Sequence, residues 1–285
     1  MSDEIVFAGR VVLITGAGRG LGRAYARLLA ARGAQVVVHD AGVALDGTGQ
    51  DRTVADTVAA EIATAGGRAF AAYEDLAQPV ACAALVTRTM ERFGRIDALV
   101  HSAGIVSYTG IEATDDLTWE RLRRVNIDAP FLLARAVFPH MKRQRYGRIV
   151  LTVSGHGLFA TEAEDLTAYG MSKAAQFGLM NMLASEGRSH GILANAISPV
   201  AATRMYRRRV EPGEAAPELI APGVVFMASE RCSFTAVVLR ANDGNFSLGR
   251  YAVTAGVRSG RTAVAPEEIA AAWEQITAGP LRGPD

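Results

Sequence analysis

The stretch Val11-Val12-Leu13-Ile14-Thr15-Gly16-Ala17-Gly18-Arg19-Gly20-Leu21-Gly22 decides the fold, because an apolar strand runs directly into a glycine-rich turn and a helix. Glycines at such a turn let the backbone bend tightly, approach a pyrophosphate and direct helix N-terminal amides at it. Glycine spacing alone would also fit a flexible turn. With a strand before it and a helix after it, the stretch predicts nucleotide binding through Gly16, Gly18, Arg19, Gly20, Leu21 and Gly22.

Short β-branched runs alternate with longer Ala/Leu-rich stretches along the chain, which is the pattern of βαβ units and a parallel sheet. The predicted strands are residues 11–15, 35–40, 69–72, 98–101, 148–153, 193–197 and 236–240. They predict an α/β fold of Rossmann type, a doubly wound and mostly parallel seven-stranded sheet with helices on both faces. We expect a single domain over residues 1–285, with a substrate lid at 203–222 and a C-terminal extension at 242–285.

The composition excludes several classes of protein. Lys plus Arg is 30 and Asp plus Glu is 29, so the net charge of +1 does not indicate nucleic-acid binding. Two cysteines are too few for a disulfide framework or a thiolate metal site, which predicts no metal and a cytoplasmic location. No apolar run approaches the ~18 residues of a membrane span, so we expect no membrane partner.

Acidic residues follow the second and third predicted strands. Asp40 comes 18 residues after Gly22, where a carboxylate can accept from the adenosine ribose hydroxyls and repel a 2′-phosphate. It therefore predicts NAD, although Asp40 could also be a plain turn residue and Arg19 could favour NADP. Asp75 could accept from the adenine amino group or be an ordinary loop residue.

Tyr169-Gly170-Met171-Ser172-Lys173 begins a predicted helix and places Tyr169 and Lys173 on one helical face. A phenol has a pKa of about 10, and a nearby ammonium lowers it by stabilising the phenolate. A surface pair is the alternative, but this chain has only two lysines among its 30 basic residues, so a lysine here is informative. The pair predicts a proton-exchanging tyrosine.

Ser154 follows the fifth predicted strand, at the sheet edge where doubly wound proteins bind ligands. Its hydroxyl could hold a substrate carbonyl, although a serine after a strand is often only a turn residue. We expect His156, Phe159 and Tyr206 to wall the substrate pocket, with His156 in no catalytic role. Core or lid packing would explain the two aromatic residues equally well. Arg207-Arg208-Arg209 could meet substrate phosphates or form a solvated lid face.

Together these residues resemble the short-chain dehydrogenase/reductase family over nearly the whole chain. The matching motifs are Thr15-Gly16-x-x-x-Gly20-x-Gly22, His101-Ser102-Ala103-Gly104, Asn126, Ser154 and Tyr169-x-x-x-Lys173. The resemblance implies a tetrad in which Tyr169 exchanges the proton and Ser154 positions the carbonyl. It further implies that Lys173 also binds the nicotinamide ribose and that Asn126 anchors a water relay to Lys173. The implied cofactor contacts beyond the glycine loop and Asp40 are Asp75, Leu76, Ser102, Ala103, Gly104, Tyr169, Lys173, Pro199 and Thr203.

The chain departs from the family pattern at three places. His101 and Ser102 stand where two asparagines are usual, so we expect different side-chain contacts beside the adenine ribose. Val200 replaces the glycine that usually follows the proline after the sixth strand, and Thr203 is still expected to reach the nicotinamide carboxamide. The distance from Ser154 to the tyrosine is longer than usual, which predicts an extended substrate loop at residues 155–167.

Within the family, several stretches resemble the (3R)-hydroxyacyl-CoA dehydrogenase region of peroxisomal multifunctional enzymes of type 2, which also carries 17β-hydroxysteroid activity. They include Val36-Val37-Val38-His39-Asp40 and the tail Pro266-Glu267-Glu268-Ile269-Ala270-Ala271-Ala272-Trp273. The resemblance implies a homodimer or homotetramer through helices at 117–143 and 168–190. The alternatives are a ketoreductase or dehydrogenase for a polyketide or terpenoid, an epimerase or dehydratase, and a dinucleotide-binding regulator without turnover.

Overall fold

A computed structural model of the chain describes residues 4–205, 211, 213–249, 252–258 and 263–278. Tyr206, Arg207-Arg208-Arg209 and part of the predicted lid lie outside these residues. The strands are β1 Val11–Thr15, β2 Gln35–His39, β3 Arg68–Ala72, β4 Ala98–His101, β5 Gly147–Thr152, β6 Ile192–Val200, β7 Val238–Asn242 and β8 Asn245–Gly249. The α-helices are α1 Gly20–Ala31, α2 Thr53–Thr64, α3 Pro79–Phe93, α4 Asp116–Arg123, α5 Ala129–Gln144, α6 Gly155–Leu158, α7 Thr167–Gly187, α8 Ala221–Ala228, α9 Pro266–Ala271 and α10 Trp273–Thr277.

The strands form one sheet in the order β3-β2-β1-β4-β5-β6-β7-β8. Every pairing from β3 across to β7 is parallel. The strand order reverses between β1 and β4, and ligands of doubly wound sheets bind at the carboxyl ends of the strands at such a point. The predicted fold class is confirmed.

The sheet has eight strands rather than the predicted seven. Asp243 and Gly244 both have positive φ, at 47° and 77°, and form a tight turn that reverses the chain after β7. Such a turn joins antiparallel strands. The prediction missed β8 because nearly all of its side chains are exposed, so the strand lacks the alternation of buried and exposed residues that marks a strand in sequence.

Successive residues of β1 belong to two different cores, as expected for a strand buried on both faces. Val12 and Ile14 pack in a core that includes residues of α1, α2 and α8. Val11 and Leu13 pack in a second core that includes residues of α3, α5 and α7. The helices therefore cover both faces of the sheet, as predicted.

The chain divides into two compact units, Met1–Ser247 and Leu248–Asp285. The first contains the sheet through the beginning of β8. In the second, α9 and α10 form a short helical tail, and the Thr254 hydroxyl donates to the carbonyl of Ile276. Within the residues that the structure describes, no helix is both long enough and apolar enough to cross a membrane.

The predicted loop at residues 155–167 begins with the helix α6, which packs tightly on α7. A Cβ atom at Gly157 would lie 2.7 Å from the Ala174 nitrogen and 2.7 Å from the Gly170 oxygen. A Cβ atom at Gly170 would in turn lie 2.7 Å from the His156 oxygen. Because backbone atoms cannot move aside as a side chain can, the two helices approach this closely only through glycine.

We expect Gly157→Ala to push α6 away from α7 and to lower the free energy of unfolding by about 1–3 kcal/mol, the range for overpacking. Urea unfolding and thermal denaturation measure the change. Gly155→Ala is the matched control in the same helix, because a Cβ atom there meets nothing within 4 Å. Equal stability of the two variants would contradict the packing argument.

Candidate active site

The glycine loop, residues 16–22, folds against the neighbouring strand end and against itself. A Cβ atom at Gly16 would lie 2.7 Å from the backbone of Ala103, and one at Gly22 would lie 2.1 Å from the Gly16 oxygen. Gly16 also has a φ of +66°, in the left-handed region that favours glycine. These approaches bring the N-terminus of α1 to the point where the strand order reverses.

A cavity of about 220 Å³ opens beside this loop. It joins the carboxyl ends of β1, β2 and β4 with the segment that follows β6. Twelve of the predicted cofactor residues line it: Gly16, Arg19, Gly20, Leu21, Gly22, Asp40, Asp75, Leu76, Ser102, Ala103, Gly104 and Thr203. Pro199, Tyr169 and Lys173 line a second, neighbouring cavity instead. Gly18 lines neither cavity, although its amide donates to Asp40, so fifteen of the sixteen predicted cofactor residues line these two cavities.

Asp40 is held in a defined orientation although it follows a strand end. Its Oδ2 accepts from the Gly18 amide at 3.0 Å, and its Oδ1 accepts from the Gly42 amide at 2.8 Å. The residue is 9% exposed. Each carboxylate oxygen has more than one acceptor site, so hydrogen bonds to ribose hydroxyls remain available to both. The Gly42 contact is the Asx turn that an ordinary turn aspartate also forms, whereas the Gly18 contact ties the carboxylate to the glycine loop.

His101 occupies its unusual position as a buried, neutral side chain. Its Nδ1 is hydrogen-bonded to the Thr15 hydroxyl at 2.9 Å, while its Nε2 has no partner within the described residues. Burial, with smaller contributions from Lys173 and His39, lowers the pKa of His101 to about 3. The substitution therefore adds no charge to the site, and His101 connects β4 to β1.

The second cavity has a volume of about 450 Å³ and lies at the carboxyl end of β5 and the start of α7. Ser154, Tyr169, Lys173 and His156 all line it. It shares wall residues with the first cavity, namely Leu21, Ser102, Gly104, Ile105, Thr203 and Met205. A dinucleotide in the first cavity would therefore border a substrate in the second.

The titrating groups of this cavity are shifted by burial. The Lys173 Nζ donates to the Thr152 carbonyl at 3.0 Å and lies 5.9 Å from the centroid of the Tyr169 ring. Burial lowers the pKa of Lys173 to about 8. Burial also raises the pKa of Tyr169 to about 12, against a hydrogen bond with Ser154 that lowers it. The sequence predicts a lowered pKa for Tyr169, but burial raises it, so the phenol is a proton donor at neutral pH, next to a buried amine.

Asn126 lies in a π-helical turn, Arg124–Asp128, between α4 and α5. Its Nδ2 donates to the Ile105 carbonyl and to the Ser172 hydroxyl, both at 2.9 Å. Its backbone carbonyl accepts from Gln176 at 2.9 Å. A Cβ atom at Gly104 would lie 3.3 Å from both the Asn126 Oδ1 and the Lys173 Nζ, so the amide and the ammonium are close neighbours. Asn126 thereby ties the segment after β4 to α7.

The three residues predicted to line the substrate pocket have different positions relative to the second cavity. His156 lines the second cavity, with its Nδ1 3.0 Å from the Thr161 hydroxyl. Phe159 is half-exposed, does not line the cavity and lies under the Arg240 guanidinium, 5.4 Å from ring centroid to Cζ. Tyr206 lies outside the described residues. The helix α6 ends at Leu158, and the Phe159 ring therefore lies beside Arg240 of β7 rather than in the cavity wall.

Sequence reasoning missed Tyr108, which lines the second cavity from the segment after β4. Its hydroxyl donates to the Met205 carbonyl, across the cavity. Tyr108 also contributes to the raised pKa of Tyr169. The next residue forms a backbone bridge with Leu166, which places two loops side by side along the cavity wall. No periodic pattern marks Tyr108, since it belongs to an irregular segment.

We expect the wild-type protein to gain stability relative to Lys173→Met as the pH rises from about 8 to about 10. Over this window the unfolded lysine still binds its proton, while the folded one has released it, so unfolding takes up a proton and the stability rises with pH. The relative gain is about 2–3 kcal/mol. Urea unfolding of both proteins across this pH range measures it.

Lys142→Met is the control, because it removes the other lysine from an exposed position. Its stability difference from the wild type should stay constant over the same pH range. A constant difference for Lys173→Met as well would show that burial does not lower the pKa of Lys173.

Comparison with known proteins agrees with this geometry. The family model described as short chain dehydrogenase matches residues 10–213. A short-chain type dehydrogenase/reductase of Mycobacterium tuberculosis is 36% identical over 94% of both chains. Peroxisomal multifunctional enzyme type 2 of Mus musculus is 38% identical over 97% of this chain, which spans 38% of that relative. The crystal structure of a short chain dehydrogenase from Mycobacterium avium has a TM-score of 0.83 at 32% identity, covering 98% of this chain and 99% of that one. The chain therefore belongs to the short-chain dehydrogenase family of oxidoreductases, which bind nicotinamide dinucleotides.

Proposed function

We propose that this protein is an NAD-dependent dehydrogenase that interconverts a bulky secondary alcohol and its ketone. The observation that carries the proposal is the convergence of Ser154, Tyr169 and Lys173 on one cavity that shares its wall with the dinucleotide cavity. A regulator that only bound dinucleotide would need the glycine loop and Asp40 but not these three side chains. The presence of these three side chains therefore favours an enzyme over a protein that only binds dinucleotide.

The chemistry divides between the cofactor and the side chains. Bound nicotinamide dinucleotide supplies or accepts the hydride. Tyr169 gives its phenol proton to the ketone oxygen, or takes the alcohol proton in the reverse direction. Ser154 donates to the same oxygen and stabilises the charge that develops there. The Lys173 ammonium, held by the Thr152 carbonyl, favours the phenolate and so lowers the barrier to proton exchange.

Asp40 supports NAD as the preferred cofactor. Its carboxylate lines the dinucleotide cavity and is fixed by the amides of Gly18 and Gly42. A 2′-phosphate placed there would face a fixed negative charge, and the carboxylate would lose the ribose hydroxyls as donors. Arg19 also lines this cavity, so discrimination against NADP depends on which charge lies closer to the ribose.

A (3R)-hydroxyacyl thioester or a hydroxysteroid is the substrate class that we propose. The cavity of about 450 Å³ is partly walled by Val106, Val153 and Leu166, which suits a large apolar group next to the reacting carbon. The sequence similarity to a peroxisomal multifunctional enzyme type 2 runs over 97% of this chain and supports the same class. A polyketide or terpenoid alcohol is the second candidate, because Glu162, Glu164 and Asp165 lie in the loop beside the cavity and suit phosphates poorly.

A homodimer or homotetramer is part of the proposal. Phe131 of α5 and Met182 of α7 are 50% and 58% exposed, and Ile127, Phe131 and Leu179 line a shallow depression shared by these helices. Burying such apolar side chains against a second copy is favourable. The proposed cytoplasmic location rests on the two cysteines, which are both unpaired and buried.

We expect Tyr169→Phe to reduce kcat by at least the ~10²–10⁴-fold that general acid–base catalysis contributes, with NADH still bound. Steady-state kinetics measure the loss, and NADH fluorescence titration measures retained binding. Tyr73→Phe, which removes a hydroxyl outside both cavities, is the control. Residual activity of Tyr169→Phe within about tenfold of the wild type would contradict its role as the proton exchanger.

The substrate class is tested with paired epimers. We expect NADH to form from (3R)-hydroxyacyl-CoA and not from the 3S epimer, because the fold fixes which face of the carbinol meets the nicotinamide. We also expect a higher kcat/KM with NAD than with NADP in the same assay. Equal rates for both epimers, or turnover confined to small alcohols, would remove this substrate class. A higher kcat/KM with NADP would show that Arg19 outweighs Asp40.

A further inference from the structure

Residues 203–205, which we call the strap, cross from one cavity to the other after β6. Thr203 and Met205 line both cavities, and Arg204 lines the dinucleotide cavity. The Arg204 Nη1 donates to the Val43 carbonyl at 2.8 Å, while the Met205 carbonyl accepts from the Tyr108 hydroxyl. The strap is thus tied on one side to the loop after β2 and on the other to the segment after β4.

A second arginine meets the same carbonyl. The Arg19 Nη1 donates to the Val43 oxygen at 3.1 Å, so two guanidinium groups from opposite sides of the cavity share one acceptor. Arg204 is an exposed residue, and partial burial of its guanidinium lowers the pKa, as does the charge of Arg19, against an opposing contribution from Asp40. Two like charges this close are unfavourable, and an anion between them would relieve the repulsion.

Each of the two guanidinium groups has further N–H donors that can bind such an anion. Each has five N–H donors, and Val43 takes one from each in the part of the chain that the structure describes. Arginine binds phosphate through two parallel hydrogen bonds, which makes it well suited to this ligand. The cavity around them is also lined by Gly20 and Leu21 at the start of α1, where backbone amides favour a phosphate group.

The position of Asp40 distinguishes between the phosphates of a dinucleotide. Its carboxylate lies at the ribose end and is fixed there by two amides, so it disfavours an anion on the ribose 2′-oxygen. The diphosphate of a bound dinucleotide would lie next to the glycine loop, from which Arg19 projects. The strap lies next to this part of the cavity, since the Thr203 side chain comes within 3.1 Å of a Cβ atom built at Gly20.

We propose that Arg204 is a cofactor-binding residue that, together with Arg19, grips the diphosphate of the dinucleotide across the cavity. The proposal rests on the dinucleotide site of the proposed function and adds to it a residue from the far side of the cavity. Because the strap also carries the carbonyl that binds Tyr108, engagement of Arg204 by the diphosphate holds one wall of the substrate cavity in position.

The test measures the binding of cofactor fragments by isothermal titration calorimetry, without turnover. The probes are adenosine, ADP and adenosine 2′,5′-bisphosphate. Arg204→Gln should weaken ADP binding by about tenfold or more, as expected for charged hydrogen bonds to phosphate, and change adenosine binding by less than about twofold. Arg204→Lys should bind ADP with an intermediate affinity, because it keeps the charge but loses the fork.

Arg52→Gln is the matched control, because Arg52 lies beside the same loop, stacks on Tyr73 and does not line the cavity. It should leave the affinity for ADP unchanged. Equal losses for adenosine and ADP in Arg204→Gln would overturn the proposal in favour of a strap that only orders the adenosine end. A larger loss for the 2′,5′-bisphosphate than for ADP would overturn it in favour of a 2′-phosphate site.

An unchanged affinity of Arg204→Gln for ADP would also overturn the proposal, while leaving the dinucleotide site intact. If the wild-type protein bound neither ADP nor NADH, the proposed function would fail together with the assignment of Arg204. These two failures are distinguishable, because the first affects the variant alone and the second affects the wild type.

Discussion

The close backbone approach at Gly16 is the constraint on which the rest of the site depends. With 2.7 Å between a Cβ atom at Gly16 and the Ala103 backbone, any other residue would separate β1 from the segment after β4. That segment carries Ser102 and Gly104 into the walls of both cavities. A glycine at this turn therefore positions the N-terminus of α1 and, through the neighbouring strand, the boundary between the dinucleotide and substrate cavities.

Burial of Lys173 is the second constraint, and it lowers the stability of the folded protein. An amine that is 4% exposed loses hydration, which is why its pKa falls to about 8. One hydrogen bond to the Thr152 carbonyl offsets part of this loss and fixes α7 against the end of β5. The same bond brings Tyr169, one helical turn earlier, beside Ser154. The site thus accepts a local cost in stability in order to hold a charge beside the phenol.

Local motifs made most of this site predictable from sequence, and long-range contacts account for what was missed. The glycine loop, Asp40 and the Tyr169 and Lys173 pair each need only a strand end or a helix turn for their placement. Arg204 and Val43 are 161 residues apart in the sequence, and no local sequence pattern predicts their contact. The strand β8 and the helix α6 escaped prediction for a related reason, because the first is exposed and the second is a single turn held by glycine contacts.

The opposing charges of Arg19 and Asp40 explain why the sequence pointed toward both NAD and NADP. Arg19 and Asp40 line the same cavity, but their partners differ. The carboxylate is fixed by amides of its own strand end and of the glycine loop, whereas the Arg19 guanidinium donates to the Val43 carbonyl. On the proposed assignment, the negative charge selects against a 2′-phosphate while the positive charges serve the diphosphate that both cofactors share. A basic residue in a glycine loop is therefore no evidence for NADP until the position of its guanidinium along the cavity is known.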